Sequence, residues 1–195
     1  MPQDIPVITV NGENIPEAWE KAVLEVWKSG VEIKTEYDLE EDPASLDATA
    51  VIQVEPPLGE PRIHKNFPGG PQELEIYRQE VLSGIHDHWV NPSEGKWTYT
   101  YHQRLFSYKP VNDVCNPDEE KSFEPTDQIE KMVKKLCEVP YSRRAQAITW
   151  IPHADPNTDD PPCLQRLWAR LLPVDEESYR LNLNAHWRSR DLYKA

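Results

Sequence analysis

Glycine is scarce in this chain, with seven in 195 residues. None falls in a Walker or Rossmann pattern, so a phosphate-cradling P-loop and a dinucleotide-binding fold are disfavoured. Cysteine is scarcer still: Cys115, Cys137 and Cys163, with no C-x-x-C pair. That count and spacing speak against a disulfide framework or a cysteine-rich zinc site and leave free thiols. Long apolar runs are missing too, and none nears the roughly 20 residues a membrane span needs. The opening Met1-Pro2-Gln3-Asp4 lacks the basic start and apolar stretch of a signal peptide, so the expected compartment is the cytoplasm. Positive charge is in short supply: 21 Lys and Arg stand against 34 Asp and Glu, a net charge of −13. That balance argues against a nucleic-acid partner. Internal repeats and low-complexity segments are absent as well.

What remains is the make-up of a globular protein, 38% hydrophobic and 28% charged. The length suits one domain with a sizeable core, read as a single domain over 1–195. Seven Trp and eight Tyr support such a core and an aromatic-lined site, and nineteen Pro imply many irregular connections. The charge is uneven: residues 1–140 carry 13 basic against 27 acidic side chains, and residues 141–195 carry 8 against 7. An anionic ligand would find its basic contacts mainly in the C-terminal quarter.

Along the chain, Ile5 to Val10 predicts a short strand or an extended arm. Asn14-Ile15-Pro16-Glu17 reads as a helix start, with apolar positions at Ala18, Trp19, Ala22, Val23, Val26 and Trp27. Leu46 to Val54 predicts one strand, stopped by Pro56-Pro57. Leu74, Tyr77, Val81 and Ile85 space as a helix. Trp97 to Tyr108 reads as an aromatic-rich strand, and residues 110–125 as a polar loop. Thr126-Asp127 cap a helix carrying Ile129, Met132, Val133 and Leu136, which Pro140 stops. Ala145 to Ile151 predicts a strand. Leu164–Leu172 and Leu181–Trp187 both alternate and flank a polar turn, which predicts a β-hairpin. A turn centred on Asp175 and Glu176 would set Cys163 across from Arg188. Helices and strands mix without regular β-α-β alternation, so the fold class is α+β, a mixed β-sheet with flanking helices.

Taken singly, the candidate residues are ambiguous. Cys163 could be a nucleophile if a cation such as Arg188 favours its thiolate, or an ordinary small apolar residue. Arg143-Arg144 and Arg188-Ser189-Arg190 could grip a phosphate, or compensate a helix end and sit in solvent. Tyr99, Tyr101, His102 and Arg104 could relay protons or line a strand face. His86 and His88 lie only two apart with no third ligand nearby, so no metal is expected.

Read in order they say more. Asp127-Gln128-Ile129, Ser142-Arg143-Arg144, Trp150, Pro162-Cys163 and Arg188-Ser189 followed by Asp191 resemble the thymidylate synthase family. Upstream, Trp97 to Arg104 resembles the family's Y-G-x-Q-W-R strand, and Ile85 to Trp89 its W-D-E-W segment. Residues 1–80 match only in outline, and the short archaeal members are the nearest in flavour. The resemblance implies that Cys163 attacks C6 of deoxyuridine monophosphate, with 5,10-methylenetetrahydrofolate or a related methylene-pterin as co-substrate. It implies phosphate contacts from Arg188 and Ser189, and from Arg143 and Arg144 across a homodimer interface. Arg188 would also activate the thiol, Asp191 would bind the pyrimidine, and Tyr99 would help remove the C5 proton. The essential carboxylate should lie at 72–84, with Glu75 and Glu80 both open. His86 stands where the family has Trp. The family pattern continues past Ala195, so the chain is read as C-terminally incomplete. The alternatives are a deoxycytidylate hydroxymethylase on the same scaffold and a non-catalytic nucleotide-binding relative.

Overall fold

Asn14 begins the first helix as its cap: its side chain accepts from the Glu17 N–H at 2.9 Å, and the Glu17 carboxylate accepts from the Glu13 N–H at 2.6 Å. The computed structural model describes residues 4–36, 38–109 and 124–192. They fall into two compact units, Met1–Pro71 with Asp191–Ala195, and Gln72–Arg190.

In the first unit, β1 (Val7–Gly12) leads into α1 (Ile15–Ser29), which buries Ala18 and Ala22 on the side facing Ile8 and Val10. Gly12 is required at this junction, because a Cβ there would lie 2.6 Å from Ala18. Two short strands, β2 (Val31–Ile33) and β3 (Ser45–Asp47), pair antiparallel, while β4 (Thr49–Val54) pairs parallel with β1. The single strand expected over Leu46–Val54 is therefore two strands. The chain changes partner at Ala48, from β2 to β1. The Trp19 indole donates to the Leu192 carbonyl at 2.5 Å and packs against His64 and Phe67.

The second unit holds α2 (Pro71–Ser83), α3 (Tyr101–Phe106), α4 (Gln128–Glu138) and a three-stranded antiparallel sheet. Its strands are β5 (Gln146–Ile148), β6 (Leu164–Pro173) and β7 (Tyr179–Trp187), in that order. Helices α3 and α4 supply Leu105, Met132 and Leu136 to a core completed by Ala145, Ala147 and Ala169. Ile129 packs against that core, whereas Val133 is 56% exposed, because its position turns off the face shared by Ile129, Met132 and Leu136. The α+β class expected from the sequence is the observed one.

The strand expected over Trp97–Tyr108 is not formed. Thr100 is buried, its hydroxyl accepts from the Gln103 N–H at 3.1 Å, and this cap starts α3 in the middle of the segment. The same hydroxyl donates to Asp87, whose other oxygen pairs with His102 at 2.7 Å. Gly84, at φ +63°, ends α2 beside this pair, and a side chain there would strike the His102 ring. Most of the polar loop expected at 110–125 lies outside the described residues.

Candidate active site

Pro161 and Pro162 cannot donate to a sheet, so the ladder of β6 starts after them. Cys163 is the last residue before it, half-buried. Over most of the hairpin the pairing centres on Glu176, as in Leu171↔Leu181 and Ala169↔Leu183. That register is offset by one from the expected one, and continued to the end it would miss Arg188. A β-bulge at Gln165 takes up one residue, so Leu164 pairs with Trp187 and the Arg188 N–H donates to the Cys163 carbonyl at 2.9 Å. The expected Cys163–Arg188 pair is present because two single-residue offsets cancel. The bulge also turns Leu164 to the side of Leu167, Ala169 and Leu171, so all four serve the interior.

Three side chains contact the segment that carries the thiol. The Arg188 guanidinium donates to the carbonyls of Pro161 at 2.9 Å and Pro162 at 3.2 Å, the two residues before Cys163. The Ser189 hydroxyl lies 3.6 Å from Cys163 Sγ. The Tyr101 hydroxyl accepts the N–H groups of Cys163 at 3.1 Å and Leu164 at 3.0 Å. Tyr101 packs edge-on against Tyr99 and Trp187. Burial first, and then the neighbouring Tyr101, holds the Tyr99 phenol well above its ordinary range. The Arg104 guanidinium stands 5.4 Å from the centroid of the Tyr99 ring. It is held there by the buried Asp155 at 2.6 Å and by the Thr149 carbonyl at 3.0 Å.

Helix α2 brings a second set. Burial raises the Tyr77 phenol, with smaller contributions from Tyr101 and Glu80. Glu80, at 17% exposure, accepts from or shares a proton with His86 Nδ1 at 2.9 Å. His86 stacks on Trp89 at 3.8 Å, and Trp97 stands edge-on to both rings. Trp89 and Trp97, with His88 and Lys96, line an open recess. Glu75 is engaged elsewhere: Arg78 and Gln79 bind it, and the Arg78 guanidinium holds its carboxyl down at about 2. The two carboxylates left open by the sequence are thus separated, with Glu80 sharing its surroundings with Tyr77.

Not every expected residue gathers here. Arg143 and Arg144 lie exposed in the turn before β5. The Ala145 carbonyl accepts from Ala169, which sets that turn beside the far part of β6, roughly 20 Å along the strand from Cys163. Asp191 belongs to the first unit, next to Leu192. Among the described residues, no three His, Cys, Asp or Glu side chains are grouped as metal ligands would be, and no helix is long and apolar enough to cross a membrane. Sequence reading missed Tyr101 as a backbone anchor and Asp155 as the partner of Arg104. A tyrosine two residues beyond Tyr99, at the start of a capped helix, was the signal for the first.

No family model matches the chain. It is 30% identical over 155 residues to a protein of Methanosarcina acetivorans named "Putative thymidylate synthase", covering 80% of this chain and 60% of that protein. A Methanosarcina mazei protein of the same name is 31% identical over 157 residues, again over 80% of this chain and 60% of its own length. One from Methanocaldococcus jannaschii is 28% identical, over 82% and 64%. The chain spans about 60% of the length of these curated relatives. Among solved structures, thermostable thymidylate synthase A from Bacillus subtilis aligns with a TM-score of 0.47 and 15% identity, over 92% of this chain and 66% of that one. Over four fifths of its length the chain thus resembles archaeal proteins named for the thymidylate synthase family.

Proposed function

We propose that the protein methylates C5 of deoxyuridine monophosphate through a covalent bond from Cys163 to C6. The observation that carries this reading is the thiol itself: a half-buried cysteine beside the Ser189 hydroxyl, on a loop whose two preceding carbonyls hold the Arg188 guanidinium. A guanidinium with a hydroxyl suits a phosphate oxygen, and a cysteine on the loop that holds them is placed to add to a bound ring.

Attack of the Cys163 thiolate on C6 breaks the C5=C6 double bond and moves the electron pair toward C5. The folate co-substrate supplies the methylene carbon and a hydride, and leaves as dihydrofolate. Tyr99, kept protonated by burial, is placed in the same cluster to help pass on the C5 proton. Expulsion of Cys163 then restores the double bond. Glu80, and not Glu75, is the carboxylate assigned to this side of α2, since Glu75 is tied to Arg78. The recess at Trp89 and Trp97 offers ring faces for a pterin, with Lys96 beside them for a carboxylate. Arg143 and Arg144 stand exposed about 20 Å along β6 from Cys163. That position supports a homodimer in which they reach the partner's phosphate. Asp191 would bind the pyrimidine.

Incubation with 5-fluoro-dUMP and methylenetetrahydrofolate tests the reading. Mass spectrometry should find a ternary adduct on the peptide carrying Cys163, absent in Cys163→Ala. No adduct together with no calorimetric binding of dUMP would overturn it.

A further inference from the structure

Cys163 has its backbone pinned on both sides. Its carbonyl accepts the Arg188 N–H at 2.9 Å, an ordinary cross-strand contact. Its N–H has no strand partner and is instead taken up by a side chain that arrives from α3, 62 residues upstream in sequence. The same oxygen accepts the N–H of Leu164, the first residue of β6. A phenol oxygen has two acceptor positions, and here both face the backbone around the thiol.

We propose that Tyr101 is the positioning residue of the nucleophile, its hydroxyl fixing the Cys163 and Leu164 amides so that the thiol can move only by rotation about its own side chain. The inference rests on the reading of Cys163 as the nucleophile.

The anchor is rigid from its own side as well. Tyr101 occupies the first position of α3, directly after the cap Thr100, and Thr100 is held by Asp87. Its ring is wedged edge-on between Tyr99 at 5.5 Å and Trp187 at 6.3 Å. Trp187 is in turn the ladder partner of Leu164. A displacement of Tyr101 would therefore be felt at once by the cap of α3, by the last pair of the hairpin and by the loop carrying Cys163. Reactions between a fixed nucleophile and a bound ring lose rate steeply when the attacking atom drifts by even an ångström. Pro161 and Pro162 provide no N–H to hold this loop, so the two amides that Tyr101 accepts are the first donors available after them.

Tyr101→Phe keeps the ring and removes only the oxygen. In the unaltered chain, amide hydrogen exchange followed by NMR should find Cys163 and Leu164 protected at least about tenfold over an unstructured chain. In Tyr101→Phe that protection should fall by about tenfold or more at these two amides, while those of β5 and of the rest of β6 stay as they were. Alkylation of Cys163 by iodoacetamide at a fixed pH, read by peptide mass spectrometry, should quicken by about threefold or more, because a looser loop exposes the half-buried sulfur. Rapid exchange of both amides in the unaltered chain would overturn the proposal, and that measurement decides the matter even if the variant does not fold. Unchanged protection and an unchanged alkylation rate in Tyr101→Phe would overturn it as well. None of these readouts needs a nucleotide, so they fail separately from the adduct experiment that tests the function.

Discussion

Strand β6 has two unlike ends. At one, Cys163 and Leu164 are gripped by Tyr101, Arg188 and a bulge, next to the buried Arg104–Asp155 pair. At the other, Arg170 lies over the Trp168 ring, Arg143 gives only its carbonyl to the Trp168 indole, and Leu181 and Leu183 of β7 are more than half exposed. The first end is organised by hydrogen bonds to backbone atoms, the second by exposed side chains that leave the backbone to the ladder. One strand thus combines a rigid support for a thiol with an open arginine-bearing face. Positioning and long-range attraction need these two properties separately.

The largest break in this contrast should come from Asp155→Ala. It leaves the Arg104 guanidinium partly buried without its carboxylate, a loss of about 3–5 kcal/mol in unfolding free energy by urea titration. The Tyr99 ring would lose the cation above it in the same step. Next comes insertion of one residue between His186 and Trp187, which gives Gln165 a partner and removes the bulge. Leu164 then turns outward at a cost of about 1.5–3 kcal/mol, again by urea titration. The Cys163–Arg188 pair would turn over with it, so the rate of Cys163 alkylation should change in step.

A smaller effect concerns pH. The folded-state value of Tyr99 is raised, so its contribution to stability is complete below the ordinary tyrosine value of about 10 and is lost as pH rises through the higher folded value. Tyr99→Phe should flatten the alkaline fall in stability, measured by urea titration across pH. Tyr77 and Tyr108, shifted in the same direction, preserve part of the slope. The smallest effect belongs to the open end: Arg143→Ala should alter unfolding free energy by no more than about 0.5 kcal/mol. A larger loss would mean that the open end is built like the closed one.

Much of this was legible from residue order. The cap at Asn14, the helix opening at Asp127 and the hairpin all follow from side-chain chemistry and spacing. The Cys163–Arg188 pair was legible only by a coincidence of counting. Neither the turn centre nor the Gln165 bulge leaves a pattern in the hydrophobic alternation, and the two offsets cancel. Trp97–Tyr108 was misread because Tyr and Trp favour strands, while a single Thr cap fixed by a distant Asp decided for a helix. Glu75 and Glu80 could not be told apart because none of α2's residues is fully buried, so its apolar pattern carries little phase. Only the contacts of each carboxylate separate them.

The proline pair before Cys163 has one more consequence. Pro161 and Pro162 bring two carbonyls and no amide hydrogens, and Pro162 is fully buried. Strand β6 cannot lengthen past Cys163, since a growing ladder would need donors there that do not exist. The prolines act as punctuation. They fix where the sheet stops, and so keep the sulfur at the sheet's boundary instead of inside it. A sequence that drifted toward stronger strand propensity on either side would still end its sheet at the same residue.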